Sequence, residues 1–178
     1  MKKKLFIAIN LPSTIKKRLF SLKEELVNPS IRWTDEDKLH LTLFFIGFVL
    51  SEENWGKLLE EVVQVVSNFN LIIKDISLAP AESKIPRMIW ANVIKSEPLL
   101  LLREKITGKP NGQFQPHITL AKINSWQFKR INPEERPLIE KELNITFPVN
   151  SVELMESRIV KGKNQYETLE SFQLFNQL

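Results

Sequence analysis

Short apolar runs alternate along this chain with amphipathic segments of helical period, and polar or proline-containing breaks separate them. Residues 4–10 read as a buried strand, followed by Pro12 with Ser13 or Thr14 as a helix start. Ile15, Leu19, Leu22 and Leu26 then recur at helical spacing up to Asn28 and Pro29. Residues 39–49 are too apolar and too rich in Thr, Phe and Ile for a surface helix, and predict a strand buried on both faces. Ser51 can cap a second helix, in which Trp55, Leu58, Leu59, Val62, Val63 and Val66 make one apolar stripe. Strands at 71–79 and 88–94 follow, joined by a loop containing Pro80 and Pro86.

The same order then returns: a helix over 98–106 stopped by Gly108, a strand at 117–123, a helix near 134–143 weakened by Pro137, and strands at 149–160 and 166–175. FNLIIKDISLA in the first half matches FPVNSVELMES in the second. This is a divergent repeat of about eighty residues, too long for a solenoid unit. The predicted architecture is α+β, one domain over 1–178 with two pseudosymmetric lobes. Each lobe is a mostly antiparallel sheet with helices on its outer face, and a groove runs between them. No Gly/Ser tract separates the halves.

Composition narrows the chemistry. The chain has 178 residues, 43% of them hydrophobic, which supports one sizeable core. With no cysteine, disulfides, thiolate metal sites and cysteine nucleophiles are excluded, and a cytoplasmic location is expected. The run after MKKK is too short for a secretory signal, and no apolar stretch reaches the roughly 20 residues of a membrane span. A net charge of +4 mildly favours an anionic partner.

The only two histidines, His40 and His117, open HLTLFFIG and HITLAKI, in equivalent places of the repeat. Taken singly, either motif fits a satisfied histidine on an apolar strand; the pairing points to function. Strand alternation puts His40 with Thr42, and His117 with Thr119, on one face. Imidazole exchanges protons near neutral pH, so two of them flanking one phosphorus suit an in-line displacement. The threonine hydroxyls can bond the non-bridging oxygens where charge develops. Zinc would need further ligands, and neither motif holds an Asp or Glu. There is no G-x-S-x-G, Walker loop or G-x-G-x-x-G.

HLTLFFIG and HITLAKI resemble the two H-x-T-x motifs of the two-histidine (2H) phosphoesterase superfamily. The branch is similar to the RNA 2',3'-cyclic phosphodiesterases, also labelled 2'-5' RNA ligases. The likeness includes KLFIAINLP, IRWTDEDKLHLTLFFIG, PRMIWANV, FQPHITLAKI and SVELMESRIVKGKNQYETLESFQL. It implies hydrolysis of a terminal 2',3'-cyclic phosphate on RNA, or on a nucleotide, to a 2'-phosphomonoester without metal or cofactor. It also implies that His40 is the proton donor and His117 the acceptor. The chain departs from the family at Phe44, where a basic residue is frequent, at Lys122, where arginine is usual, and in a short 105–114 segment.

Trp33, Phe114 and Tyr166 are candidate base platforms, and Arg87 a candidate phosphate contact. Lys122 is a weaker candidate, because strand parity directs it away from His117. RNA ends or cyclic nucleotides are the expected partners of a monomer that does not enter membranes. Two other functions fit the residues: 2'-5' RNA ligation, and RNA-end binding with vestigial catalysis.

Overall fold

A computed structural model describes residues 2–81, 83, 85–136 and 139–176. Its strands are β1 (Lys3–Asn10), β2 (Ile31–Trp33), β3 (His40–Val49), β4 (Phe69–Ala79), β5 (Met88–Val93), β6 (His117–Ile123), β7 (Lys141–Val149), β8 (Ser151–Val160) and β9 (Lys163–Gln173). The helices are α1 (Ser13–Ser21), α2 (Glu53–Val63), α3 (Glu97–Thr107) and the short α4 (Ser125–Lys129). Gly108 closes α3 in the left-handed conformation (φ 63°), which costs glycine little.

The strands form one antiparallel sheet in the order β7-β4-β5-β6-β3-β1-β8-β9, with β2 added beside β6. The α+β class holds, and the order is symmetric about its centre. β6 corresponds to β3, β5 to β1, β4 to β8 and β7 to β9. The symmetric sets are not the two halves of the chain, however. β4, from the first half, lies beside β5, and β8, from the second, lies beside β1. β4 of the first repeat and β8 of the second have each crossed to the other side, so each half of the sheet draws on both halves of the sequence.

The centre of the sheet is narrow. β3 and β6 pair through a single register position, Leu41 opposite Ile118, and both side chains are fully buried. Each of these residues is the x of its H-x-T motif. The pseudo-twofold axis therefore passes between them, and the two strands diverge on either side.

Matched bulges flank this crossing. Ile7 pairs with Phe44 and Ala8 with Thr42, leaving Leu43 as an extra residue. Ile89 pairs with Ala121 and Trp90 with Thr119, leaving Leu120 extra. The bulge thus falls on the leucine of H-x-T-L in both strands. Two consecutive residues then face the core, and the alternation reverses beyond them. Phe44 packs on Trp55 of α2 with ring centroids 5.7 Å apart, while Phe45 is 72% exposed on the opposite face.

Three expectations are corrected here. β3 is not buried on both faces, since Phe45 and Phe48 stand 72% and 69% exposed. The first helix stops early: Leu22–Glu24 is a 3-10 turn, and Leu26 packs on the core from a loop. The helix near 134–143 is absent among the described residues; Pro133–Glu135 is a 3-10 turn, and β7 begins at Lys141. Pro137 and Leu138 lie outside the described residues. A proline there denies a helix the hydrogen bond that propagation needs.

The core is one continuous cluster on the helix side of the sheet, running from Leu5, Ile7 and Ile9 through Leu41, Leu43, Ile118 and Leu120 to Phe147 and Leu154. A second, small cluster of Phe6, Ala8 and Met155 lies on the other face under Tyr166. Leu41→Ala removes a fully buried side chain at the only β3–β6 register contact. It should lower unfolding free energy by about 2–5 kcal/mol in a urea titration; a loss below about 1 kcal/mol would show that the crossing is not under packing constraint.

Candidate active site

β3 and β6 carry His40, Thr42, His117 and Thr119 to the face of the sheet opposite the main core. All four line one cavity of about 300 Å³. Phe6, Phe45, Tyr166, Lys4, Lys38 and Lys122 share this lining with them, and no carboxylate does among the described residues. Such a cavity attracts anions.

Each ring is held in the same way. His40 Nδ1 donates to the Lys38 carbonyl at 2.7 Å, and His117 Nδ1 donates to the Gln115 carbonyl at 2.7 Å. A carbonyl can only accept, so the proton of each neutral imidazole sits on Nδ1 and Nε2 is left as the acceptor. His40 Nε2 lies 3.1 Å from Thr42 Oγ1, which donates to it in that state.

Aromatic walls support the rings. His117 stacks on Trp90 at 3.7 Å between centroids with 16° between planes. His40 meets Phe6 at 5.1 Å and the edge of Tyr166 at 5.2 Å. Opposite each histidine in register stands an asparagine, Asn10 beside His40 and Asn92 beside His117. The Asn10 backbone N–H donates to Glu153 Oε2 at 3.0 Å, whereas the Asn92 side-chain Nδ2 donates to Asp75 Oδ1 at 2.6 Å. The repeat therefore extends to an asparagine and a carboxylate behind each ring, joined through the backbone at Asn10 and through the side chain at Asn92.

Burial pushes both imidazoles below their ordinary value of 6.5, and desolvation outweighs the carbonyl hydrogen bonds that favour the charged form. Lys16 and His117 add repulsion to a charge on His40.

Of the other sequence candidates, Tyr166 is in the cavity and Trp33 lines an adjoining one. Trp33 pairs with Ala121 and packs against the core, so its ring is only partly available. Arg87 and Phe114 line neither cavity. The Arg87 backbone bonds Ala79 and Ile123, fixing the turn before β5, and Phe114 lies under the Arg103 guanidinium at 4.4 Å. Lys122, which parity directs away from His117, faces the groove because the Leu120 bulge reverses the alternation. Phe45 reaches the groove by the matching bulge, and sequence reasoning misses it. The signal available is an apolar pair after each threonine, Leu43-Phe44 and Leu120-Ala121.

The model of the 2'-5' RNA ligase superfamily matches residues 16–159. The chain belongs to this superfamily. A relative from Thermotoga maritima named RNA 2',3'-cyclic phosphodiesterase is 27% identical over 151 residues, 76% of this chain and 79% of its own. One of the same name from Archaeoglobus fulgidus is 24% identical over 96% of this chain and 99% of its own. The fold is that of TT0787 of Thermus thermophilus, with TM-score 0.81, 23% identity and all of both chains covered. It is also that of E. coli LigT in complex with 3'-AMP, with TM-score 0.78, 23% identity, and 98% of this chain and 99% of that one covered.

Because the folded state holds both histidine values below the unfolded 6.5, the unfolded chain takes up protons first as pH falls. Their contribution to stability is complete above 6.5 and is lost as pH drops through the lowered folded values. The melting temperature should therefore fall between about pH 7.5 and pH 5.5 more steeply in the native chain than in a His40→Gln/His117→Gln variant. Parallel curves would contradict the burial account.

Proposed function

We propose that the chain is a metal-independent RNA 2',3'-cyclic phosphodiesterase, with His40 as general acid, His117 as general base, and Thr42 and Thr119 as donors to the phosphate. The observation that carries this reading is the meeting of both histidines and both threonines in one cationic cavity about the Leu41–Ile118 crossing. The curated relatives named for this activity support it.

The chemistry balances within these groups. His117 Nε2 takes a proton from water, whose oxygen bonds to phosphorus. The P–O3' bond breaks in line, and Nε2–H of His40 gives its proton to O3'. The products are a 2'-phosphomonoester and a 3'-hydroxyl. Burial leaves both rings inclined to be neutral, so the negative charge of the bound cyclic phosphate supplies the incentive for one of them to be protonated. The hydroxyl of Thr42, turned from its bond to His40 Nε2, and that of Thr119 can donate to the non-bridging oxygens as charge builds there.

Ligation is the same displacement with an RNA 5'-hydroxyl in place of water, its oxygen bonding to phosphorus as the P–O3' bond breaks, and the superfamily description keeps it in view. Incubating 2',3'-cyclic-ended RNA with 5'-hydroxyl RNA and looking for joined strands separates the two. RNA-end binding without turnover would leave a nucleoside 2',3'-cyclic phosphate intact.

His40→Ala and His117→Ala should each cut hydrolysis of such a substrate by about 10²–10⁴-fold with unchanged circular dichroism. Retention of substantial activity in either variant would overturn the assigned pair. EDTA should leave the rate unchanged, and inhibition by it would contradict the metal-free mechanism.

A further inference from the structure

Proton uptake at His117 creates an imidazolium in surroundings that oppose one. The ring is half-buried, and desolvation works against its charged form. The titratable groups that share its cavity are Lys4, Lys38, His40, Lys122 and Tyr166, with no carboxylate among the described residues. Asp75 stands two strands away, engaged by Asn92, and Lys95 lines a neighbouring cavity with Trp90. Two groups favour the cation. The Gln115 carbonyl accepts from Nδ1, and the indole of Trp90 lies on the imidazole at 3.7 Å between centroids and 16° between planes.

The repeat does not duplicate this stack. Trp90 on β5 pairs with Thr119, and its counterpart on β1, paired with Thr42, is Ala8. His40 meets Phe6 and Tyr166 only at 5.1 and 5.2 Å, with 39° and 86° between planes. Its Nε2 is also engaged by Thr42, whereas Thr119 makes no such bond to His117 among the described residues. Trp90 does not line the histidine cavity, so its ring acts on the imidazole and not on a substrate. Its indole N–H is closed off from solvent with no hydrogen-bond partner among the described residues. Such burial costs stability, and phenylalanine would avoid it. What the position gains from tryptophan is therefore the ring face, the best of the aromatic faces for holding a cation.

We propose that Trp90 is a positioning residue for the proton transfer: its ring face fixes the plane of His117 and holds the positive charge that His117 acquires as it takes the proton from water. The proposal rests on the base role given to His117. The contact is weak while the imidazole is neutral and strengthens as the ring becomes charged, so it stabilises the transition state more than the ground state. At His40, which begins the step charged and ends it neutral, the same contact would hold the proton back. Ala8 stands at that position instead.

Trp90→Phe and Trp90→Leu test this, because both keep an apolar neighbour for the ring while they reduce or remove its π face. Nuclear magnetic resonance titration of the imidazole Cε1–H signals should give His117 a falling apparent pKa in the order native, Trp90→Phe, Trp90→Leu. The last should lie lower by about half a unit to one unit, with His40 as the unmoved internal reference. In hydrolysis of adenosine 2',3'-cyclic phosphate, Trp90→Leu should lower kcat about two- to tenfold at unchanged KM, and Trp90→Phe should recover part of it. The acid limb of the pH–rate profile should move to lower pH together with the His117 signal. A tryptophan that merely buries the ring predicts the opposite sign, since a smaller side chain admits water and lets the His117 value rise. That rise, an unmoved value in both variants, or a loss confined to KM overturns the proposal. An acid limb that stays fixed while the His117 signal moves overturns instead the base role on which the proposal rests. Failure of the native chain to hydrolyse the cyclic phosphate overturns the activity, whatever the titration reads.

Discussion

The contact of Leu41 with Ile118 is the constraint on which the groove depends. A sheet whose two central strands were paired along their length would bring the flanking side chains into close cross-strand contact and leave no room for a ligand. Holding β3 and β6 together at one buried pair, and letting them diverge, keeps both H-x-T faces close to the axis yet separate. Each histidine then needs its own fixing. The carbonyl two residues earlier supplies it, and an asparagine tied to a buried or half-buried carboxylate stands beside it on the neighbouring strand.

The bulges convert a symmetric frame into an asymmetric site. Both fall on the leucine of H-x-T-L, and both turn the next-but-one residue toward the groove. On the His40 side that residue is Phe45, close to Phe6, which in turn meets Tyr166; on the His117 side it is Lys122, beside Arg32. One bulge thus contributes an aromatic ring to the groove and the other a cation. A ligand that has a flat base at one end and phosphates at the other meets a matching polarity, although the backbone beneath it has none.

Much of this is legible in the sequence because it rests on local pattern. The apolar stripe of α2, the Gly108 stop and the H-x-T alternation each depend on neighbours within a few residues. What escapes depends on partners far away. Residues 134–143 suggest a helix because Glu134 and Leu143 are helix formers taken alone, whereas pairing with β4 decides the state of 141–149. Parity misdirects Lys122 because it assumes an unbroken ladder, and Leu120 breaks that ladder only through its register with β5. The exchange of β4 and β8 between the two sides of the sheet leaves no mark in either segment. Arg87 and Phe114 carry suitable chemistry in loops whose backbone and packing partners turn them elsewhere.

A chain with two histidines gives two imidazole Cε1–H resonances, which makes convergence directly measurable by nuclear magnetic resonance. Titration with adenosine 2'-phosphate should shift both resonances along a single saturation curve, with one dissociation constant, and should raise the apparent pKa of at least one ring as the dianion takes its place between them. Movement of one resonance alone, or two curves with different dissociation constants, would mean that the rings serve separate places and that no shared phosphate site exists.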